Sequence, residues 1–485
     1  MCGCAKACMS TVLPSSSPQS HRRLLWLVAI GFFMQTLDGT IVNTSLPGMA
    51  QSLGESPLRM QSVVVSYALT MAALIPASGW LADRFGTQRV FMTAIALFTL
   101  GSAACAASTS LDQLVVSRVL QGMGGAMLLP VGRLTVLRAV PREKFLEAMA
   151  FVAVPGLVGP LIGPTLGGWI TEALSWHWIF IINLPVGVLG TYATLRWMPN
   201  LRGDEQHRFD LSGYLLLTGS MLAISISLDG LSSLGLRHAT VLVLLLGGLA
   251  ALAAYWLHAL KHPAPLFSPR LFEMQSFRVG LLGNLFARIG SGAMPYMIPL
   301  SMQLAMGYSP AQAGMLMLPV AMASMATKRL ATRIIQRFGY RHVLRSNTLL
   351  LGVMMASFAL MWPEQPLWLR VLQMACFGAV NSMQFTAMNT VTLKDLDVAR
   401  ASSGNSMLSM VQMLSMSLGV TVAGALLGLF QGWFATADPT QTLSAFRATF
   451  VCIGIITAWT SWIFWQLGDD TDKRAPREHD VVDPG

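Results

Sequence analysis

The feature that most constrains this chain is a succession of uninterrupted apolar runs, each about 17–25 residues long and separated by short charged segments. In a bilayer every backbone N–H and C=O must be paired within the protein, so only helices and closed barrels can cross it. Barrel strands would be shorter and would alternate apolar with polar side chains. The continuous runs therefore predict an all-α integral membrane protein. Composition points the same way, because 54% of the 485 residues are hydrophobic and only 11% are charged. A soluble domain carries roughly a quarter of its residues as Asp, Glu, Lys and Arg, and this chain has too few to cover a water-soluble globule.

Setting the runs against the charged breaks predicts about fourteen spans. They fall near residues 24–47, 61–81, 90–108, 111–132, 146–170, 178–198, 211–228, 239–257, 279–303, 311–332, 346–362, 366–388, 403–430 and 446–467. Of the 32 Lys and Arg, Arg118, Arg288 and Arg370 lie in or at the edge of spans. Alternating the loops leaves only Arg59, Arg237 and Arg447 on one side, and the positive-inside rule makes the other side cytoplasmic. An even number of spans then puts both termini in the cytoplasm. The formal charge of +10 is accounted for by topology and contact with anionic membrane lipid, and no nucleic-acid partner is expected.

The first twenty residues are polar and Ser-rich, and the first apolar run is too long for a cleaved signal peptide. Cys105, Cys376 and Cys452 lie in apolar runs and read as small buried hydrophobes. Cys2, Cys4 and Cys8 crowd the leader MCGCAKAC without completing a set of four metal ligands, so a frayed tail or an over-called start codon is expected there. No metal site and no cofactor are expected. HExxH, GxSxG and a Gly-rich phosphate loop followed by Lys are all missing, which disfavours an enzyme.

Short internal matches suggest a repeat. RVLQ occurs at Arg118–Gln121 and at Arg370–Gln373, and RFG at Arg84–Gly86 and at Arg337–Gly339. The two offsets are nearly equal and place the second to fourth spans on the tenth to twelfth. Two six-span halves around an inserted pair follow, and repeated halves with a midplane site are characteristic of transporters.

Five runs carry chemistry. GWLADRFGTQRV closes the second span, with Gly79 permitting close helix contact and Asp83, Arg84, Gly86 and Arg89 forming a charged latch at the helix end. LVVSRVLQGMGGA in the fourth span holds Arg118 and Gln121. A bare arginine in lipid costs roughly 2.5–3.5 kcal/mol, so Arg118 should face protein or a watery cavity, unless it snorkels to the surface. GLVGPLIGPTLGG in the fifth span sets Gly159, Gly163 and Gly167 four residues apart, flanked by Gly156 and Gly168, as a bare stripe for helix packing. Pro160 and Pro164 in the same run each remove a helix hydrogen bond. LDGTIVNTSLP closes the first span and contains Asp38, a carboxylate deep in a span; WHWIFIINLPVG opens the sixth.

The second, fourth and fifth of these spans resemble signatures of the major facilitator superfamily, the fifth being similar to the antiporter motif of its exporters. The first and sixth, with the inserted pair, resemble its fourteen-span drug:proton antiporter branch. Thr87 and Gln88 depart from a basic pair, Gly39 from a residue that is often threonine, and His177 from an arginine. The resemblance implies two six-helix halves with two extra helices between them, in a bacterial inner membrane. It also implies efflux of a small-molecule substrate driven by protons, by a protein expected to be a monomer. Asp38 would carry the coupling proton with Arg118 as partner, although a purely structural ion pair is also open. Gly156, Gly159, Pro160, Gly163, Pro164, Gly167 and Gly168 would shape the gate. Gln121, Arg288 and Arg370 are candidates for substrate contact. With Lys328 and Arg329 they make a cavity with one acid and several bases, which would suit an organic anion or a metal–carboxylate chelate of the citrate type.

The expected organisation is an N-terminal tail to residue 23, a six-helix half over 24–198, the inserted pair with its linkers over 199–276, a second half over 277–467 and a tail over 468–485. Reporter fusions after Asp204 and after Arg270 should read cytoplasmic and one after Ser233 external. A cytoplasmic reading at Ser233 would remove the inserted pair.

Overall fold

The computed structural model describes residues 18–203, 209–230, 238–396, 398–434 and 439–468. The Cys-rich leader and the C-terminal tail lie outside them. The helices in chain order are α1 Pro18–Ile41, α2 Leu46–Leu53, α3 Gln61–Leu74, α4 Ser78–Phe85, α5 Thr87–Ala106 and α6 Leu111–Ala139. There follow α7 Arg142–Ala173, α8 Trp178–Ile181, α9 Asn183–Trp197, α10 Leu211–Gly230 and α11 His238–Lys261. The remainder are α12 Gln275–Met306, α13 Pro310–Met315, α14 Leu318–Ser357, α15 Leu367–Leu393, α16 Val398–Phe434 and α17 Pro439–Trp459.

Among the described residues, eleven helical segments are long and apolar enough to cross a membrane. The three expected spans outside that set are helical but richer in polar side chains: α12 with Asn284 and Arg288, the first part of α14 with Lys328 and Arg333, and α15 with Arg370, Gln373, Asn381 and Gln384. They can cross all the same, because neighbouring helices shield their polar faces. The fold is the two six-helix halves with an inserted pair.

The internal repeat is visible in the backbone. Gly86 has φ 92° and Gly339 has φ 76°, and these ends of the two RFG matches each break a helix at the same place in their half. Only glycine enters that region without strain. The second break leaves α14 as two helices in one continuous run.

Both halves close together at the arginine-poor end. A Cβ on Gly168 of α7 would overlap the Pro310 carbonyl of α13, and one on Gly314 the Pro164 carbonyl. Gln303 of α12 donates to the Thr44 carbonyl (2.9 Å), and the Ala311 N–H donates to Glu172 (3.0 Å). Along the other seam α3 packs on α16, and the inserted α10 lies against both. Gln61 at the start of α3 donates to Asp229 of α10 (2.7 Å). Asp229 was not expected as a buried carboxylate; α10 runs two residues past the expected span and carries it under cover. Of the three cysteines in spans only Cys105 is buried, while Cys376 is exposed on the bundle surface, where lipid would surround it.

Asp210 organises the other end of the inserted pair. Its carboxylate accepts from Gly213 N–H (2.8 Å), His258 (2.8 Å) and Leu266 N–H (3.2 Å), so it caps α10 and clasps the end of α11. His262 stands nearby, its Nδ1 accepting from Ala264 N–H at 3.3 Å. These three potential metal ligands, unforeseen from the sequence, are thus engaged as a helix clasp. Burial alone would raise the Asp210 carboxyl, but the three donors outweigh it and hold it below the usual carboxylate range. Its stabilising contribution is therefore present above that range and is lost as pH falls through the lowered value. Asp210→Ala should cost about 1 kcal/mol at the cap and speed amide exchange of the first turn of α10 roughly fivefold at neutral pH. Unchanged exchange there would show that the clasp contributes nothing.

Candidate functional site

α1 delivers Asp38 to a point where α3, α5, α6 and α9 converge, and the carboxylate is fully buried at 0% exposure. Arg118 of α6, at 1% exposure, donates to it through Nη1 (2.6 Å). The same nitrogen reaches Gln121 Oε1 (2.6 Å), and Nε donates to the Val63 carbonyl (3.1 Å). Gln121, one helical turn after Arg118, passes its amide to Asp38 Oδ1 (2.7 Å) and to Ser102 of α5 (2.8 Å). Asn183, the first residue of α9, donates to Asp38 Oδ1 (3.3 Å) and to Ser102 (3.4 Å). The guanidinium lies 4.1 Å from the Tyr67 ring centroid of α3 and 5.9 Å from that of Phe180.

Arg118 thus faces the bundle interior and does not snorkel. Two charges taken out of lipid and water together are tolerable only with good geometry and satisfied remaining donors, and removing one partner of such a pair costs roughly 3–5 kcal/mol. The sequence paired Asp38 with Arg118 and offered Gln121 as a candidate for substrate contact, whereas the structure bonds Gln121 to both charged groups. The sequence did not single out Asn183, Ser102 or Tyr67, although Asn183 stands inside the FIINLP run whose signature had been noticed.

The repeat explains why the site is not duplicated. Arg370 and Gln373 of α15 match Arg118 and Gln121, and Gln373 bonds Ser357 (3.0 Å), the counterpart of Cys105 at the same offset. The position matching Asp38 holds Gly290 or Ser291. With no acid opposite, Arg370 turns to the Trp362 (2.8 Å) and Pro363 (3.4 Å) carbonyls in the loop before α15 and stacks on Tyr308 at 4.9 Å. The structure does not bring it to the Asp38 site. Arg288 of α12 donates to Asn284 Oδ1 (3.0 Å) and lies 4.2 Å over the Phe385 ring. Among the described residues it has no carboxylate at ion-pair distance. Lys328 is half-buried in α14, and the side chain of Arg329 lies outside the described residues.

The helix-end latch joins a neighbouring helix through a partner that the sequence had not named. Asp83 pairs with Arg138 of α6 (2.5 Å) and not with its neighbours in sequence. Arg84 lies over Trp80 at 5.3 Å, and Arg89 is exposed. A helix end cannot fold back on the residues just beyond it as readily as the adjacent helix can present a long arginine. Gly79 does not serve close packing in this conformation, because among the described residues a Cβ there would meet nothing within 4 Å. Gly86 is required, since a Cβ would overlap Asn200. The two departures from the basic pair bind the end of α9: Thr87 accepts from Leu201 N–H (3.1 Å), and Gln88 donates to the carbonyls of Thr194 (3.2 Å) and Leu195 (3.1 Å).

The glycine stripe of α7 runs along α1. A Cβ on Gly156 would overlap Phe32, on Gly159 Thr36 and Leu37, on Gly163 Thr40, and on Gly167 the Ile41 carbonyl. Pro155, Pro160 and Pro164 lie inside α7. Thr44 and Ser45, just past the end of α1, donate to the carbonyls of Pro164 (3.0 Å) and Gly167 (3.4 Å).

A repeated helical bundle with a charge pair locked in its interior defines a multi-span membrane transporter. The chain belongs to the Major Facilitator Superfamily, whose family model matches residues 28–420 and 280–481; it is a transporter and not an enzyme. It is similar to a protein of Serratia proteamaculans (strain 568), 53% identical over 447 residues, covering 92% of this chain and 94% of that one. A protein of Yersinia enterocolitica is 52% identical over 460 residues, covering 94% and 97%. Both carry, provisionally, the name multidrug resistance protein MdtD. Among solved structures, a bacterial homologue of the human lysosomal transporter Spinster, inward-facing and unoccupied, superposes with TM-score 0.64 at 14% identity over 93% of this chain and 97% of that one. The D-xylose–proton symporter gives 0.63 at 14% identity, over 91% and 97%. At that identity these two show the shared fold.

The α1–α7 contact has no hydrophobic force from lipid to restore it once wedged apart. Gly163→Leu should insert normally, yet lose transport or leak. Full substrate flux in that variant would reduce the stripe to a packing accident.

Proposed function

We propose that the chain exports small molecules of the multidrug type from the cytoplasm in exchange for protons, as a monomer in a bacterial inner membrane. The observation that carries this reading is the fully buried Asp38–Arg118 pair, seated on the helix that also touches the gate. Asp38 lies two residues before Thr40, which abuts Gly163, and six before Thr44, which bonds the Pro164 carbonyl. Protonation removes the charge that holds Arg118, Gln121 and Asn183 in place. The resulting shift of α1 acts on the α7 stripe and on the Gly168–Pro310 contact between the halves. Placing the arginine-rich end in the cytoplasm, with both termini, makes this conformation one closed to the outside. The alternation of the two closures around a central site is the expected cycle.

One observation favours a second substrate class. Arg288 is bonded to an uncharged amide and stacked on an aromatic ring. An organic anion or a citrate-type metal chelate would supply the missing carboxylate. A proteoliposome screen of drugs, organic acids and chelates under an imposed pH gradient separates the two classes.

Asp38→Asn tests coupling directly. The amide stands permanently for the neutral acid, so substrate-driven proton release and uphill efflux should vanish. Downhill exchange of one substrate molecule for another should survive, because it requires no net proton movement. Uphill transport at the parental rate in this variant would place the coupling group elsewhere.

A further inference from the structure

A groove of about 900 Å³ lies between α1 and α9, away from the Asp38 site. Arg22, Trp26 and Ile30 stand four residues apart on α1 and so share one face. With Arg23 they form one wall, and Leu189 and Trp197 of α9 contribute to the other. Leu189 is 68% exposed, Trp26 46% and Trp197 42%, so the groove opens outward to where lipid would be.

The groove is polar at one end only. Arg22 and Arg23 sit in the first turns of α1 at the arginine-rich end, and Trp197 is the last residue of α9 at the same level. The Arg23 guanidinium lies 5.8 Å from the Trp197 ring. Tryptophan at a span end marks the headgroup level. Among the described residues neither arginine has an ion-pair partner, and residues 1–21 contain no Asp or Glu. Below the two cations the walls are apolar apart from the hydroxyl of Tyr192. A soluble anion would satisfy the arginines and leave that wall bare; an uncharged apolar molecule would do the reverse.

We propose that this groove holds an anionic phospholipid of the leaflet at the arginine-rich end. Its phosphate sits against Arg22 and Arg23, and one acyl chain lies along Ile30 and Leu189. The inference needs only the membrane class of the chain, not its transport reaction. A zwitterionic lipid offers the same phosphate with a compensating cation. Two basic residues near a membrane surface therefore favour the anionic headgroup about thirtyfold.

The test uses the full-length protein, delipidated in detergent and given phosphatidylglycerol and phosphatidylcholine in equal amounts, with retained lipid counted by native mass spectrometry. The parent should retain phosphatidylglycerol about thirtyfold over phosphatidylcholine. Arg22→Gln with Arg23→Gln should abolish the preference, and Arg22→Lys with Arg23→Lys should keep it, because charge alone suffices. Leu189→Trp, which fills the apolar trough and leaves both charges, should lose retained lipid of either kind. Equal phosphatidylglycerol retention by the parent and the Gln double variant would overturn the proposal. So would displacement of the lipid by millimolar glycerol phosphate, which would make the groove a site for soluble anions.

Discussion

A carboxylate and a guanidinium enclosed together by helices impose more on this bundle than any apolar contact does. Neither Asp38 nor Arg118 reaches solvent, so each lone pair and each N–H has to find a partner inside the protein. That requirement draws α3, α5, α6 and α9 to one point on α1. Val63 supplies a carbonyl, Gln121 and Asn183 supply amides, Ser102 ties the two amides together, and Tyr67 covers the guanidinium with its ring face. The N-terminal half is thereby organised around a single polar knot. The C-terminal half keeps the arginine and glutamine but has no acid in the matching place. Its arginine is consequently spent on loop carbonyls.

The knot gains its reach from the helix that carries it. One stretch, from Phe32 in α1 to Thr44 just beyond it, faces the bare stripe of α7 and includes Asp38. Glycines there bring backbone against side chain without intervening bulk, so small displacements of α1 are transmitted and not absorbed by flexible side chains. The far end of the same α7 stripe meets α13 of the opposite half through Gly168 and Pro310, and Gly314 returns the contact to Pro164. A continuous path of close contacts therefore joins the charge pair to the seam between the halves. The inserted pair lies on the other seam, held by Asp229 to α3 at one end and clasped by Asp210 at the other.

Much of this was legible in the order of residues. Lipid offers no hydrogen bonds, so a chain of long apolar runs has little choice but helices. The RFG and RVLQ matches exposed the repeat because a glycine at positive φ and an arginine inside a span are both tightly restricted residue choices. Asp38 and Arg118 stood out for the same reason, and Gln121 through the fourth-span run that holds it. A charge in an apolar run is costly and so conspicuous. The stripe at Gly159, Gly163 and Gly167 was readable from its four-residue period alone.

Apart from Asp38 with Arg118, what the sequence could not supply was partnership, because it lists residues along one dimension while ion pairs form across helices. It put Asp83 beside Arg84 and Arg89, whereas the adjacent helix brings Arg138 to it. It assigned Gly79 a packing role that depends on a neighbour being near, and none is. Asn183, Ser102 and Tyr67 are ordinary residues anywhere in a helix; only convergence on one carboxylate makes them part of a site. The same holds for Arg370, whose likeness to Arg118 is complete in sequence and ends in space, where no carboxylate stands opposite. Apolar periodicity and the price of a buried charge act on each helix separately and are therefore written in the chain. Pairing depends on which helices meet and at what depth, and that was decided by the packing of the bundle.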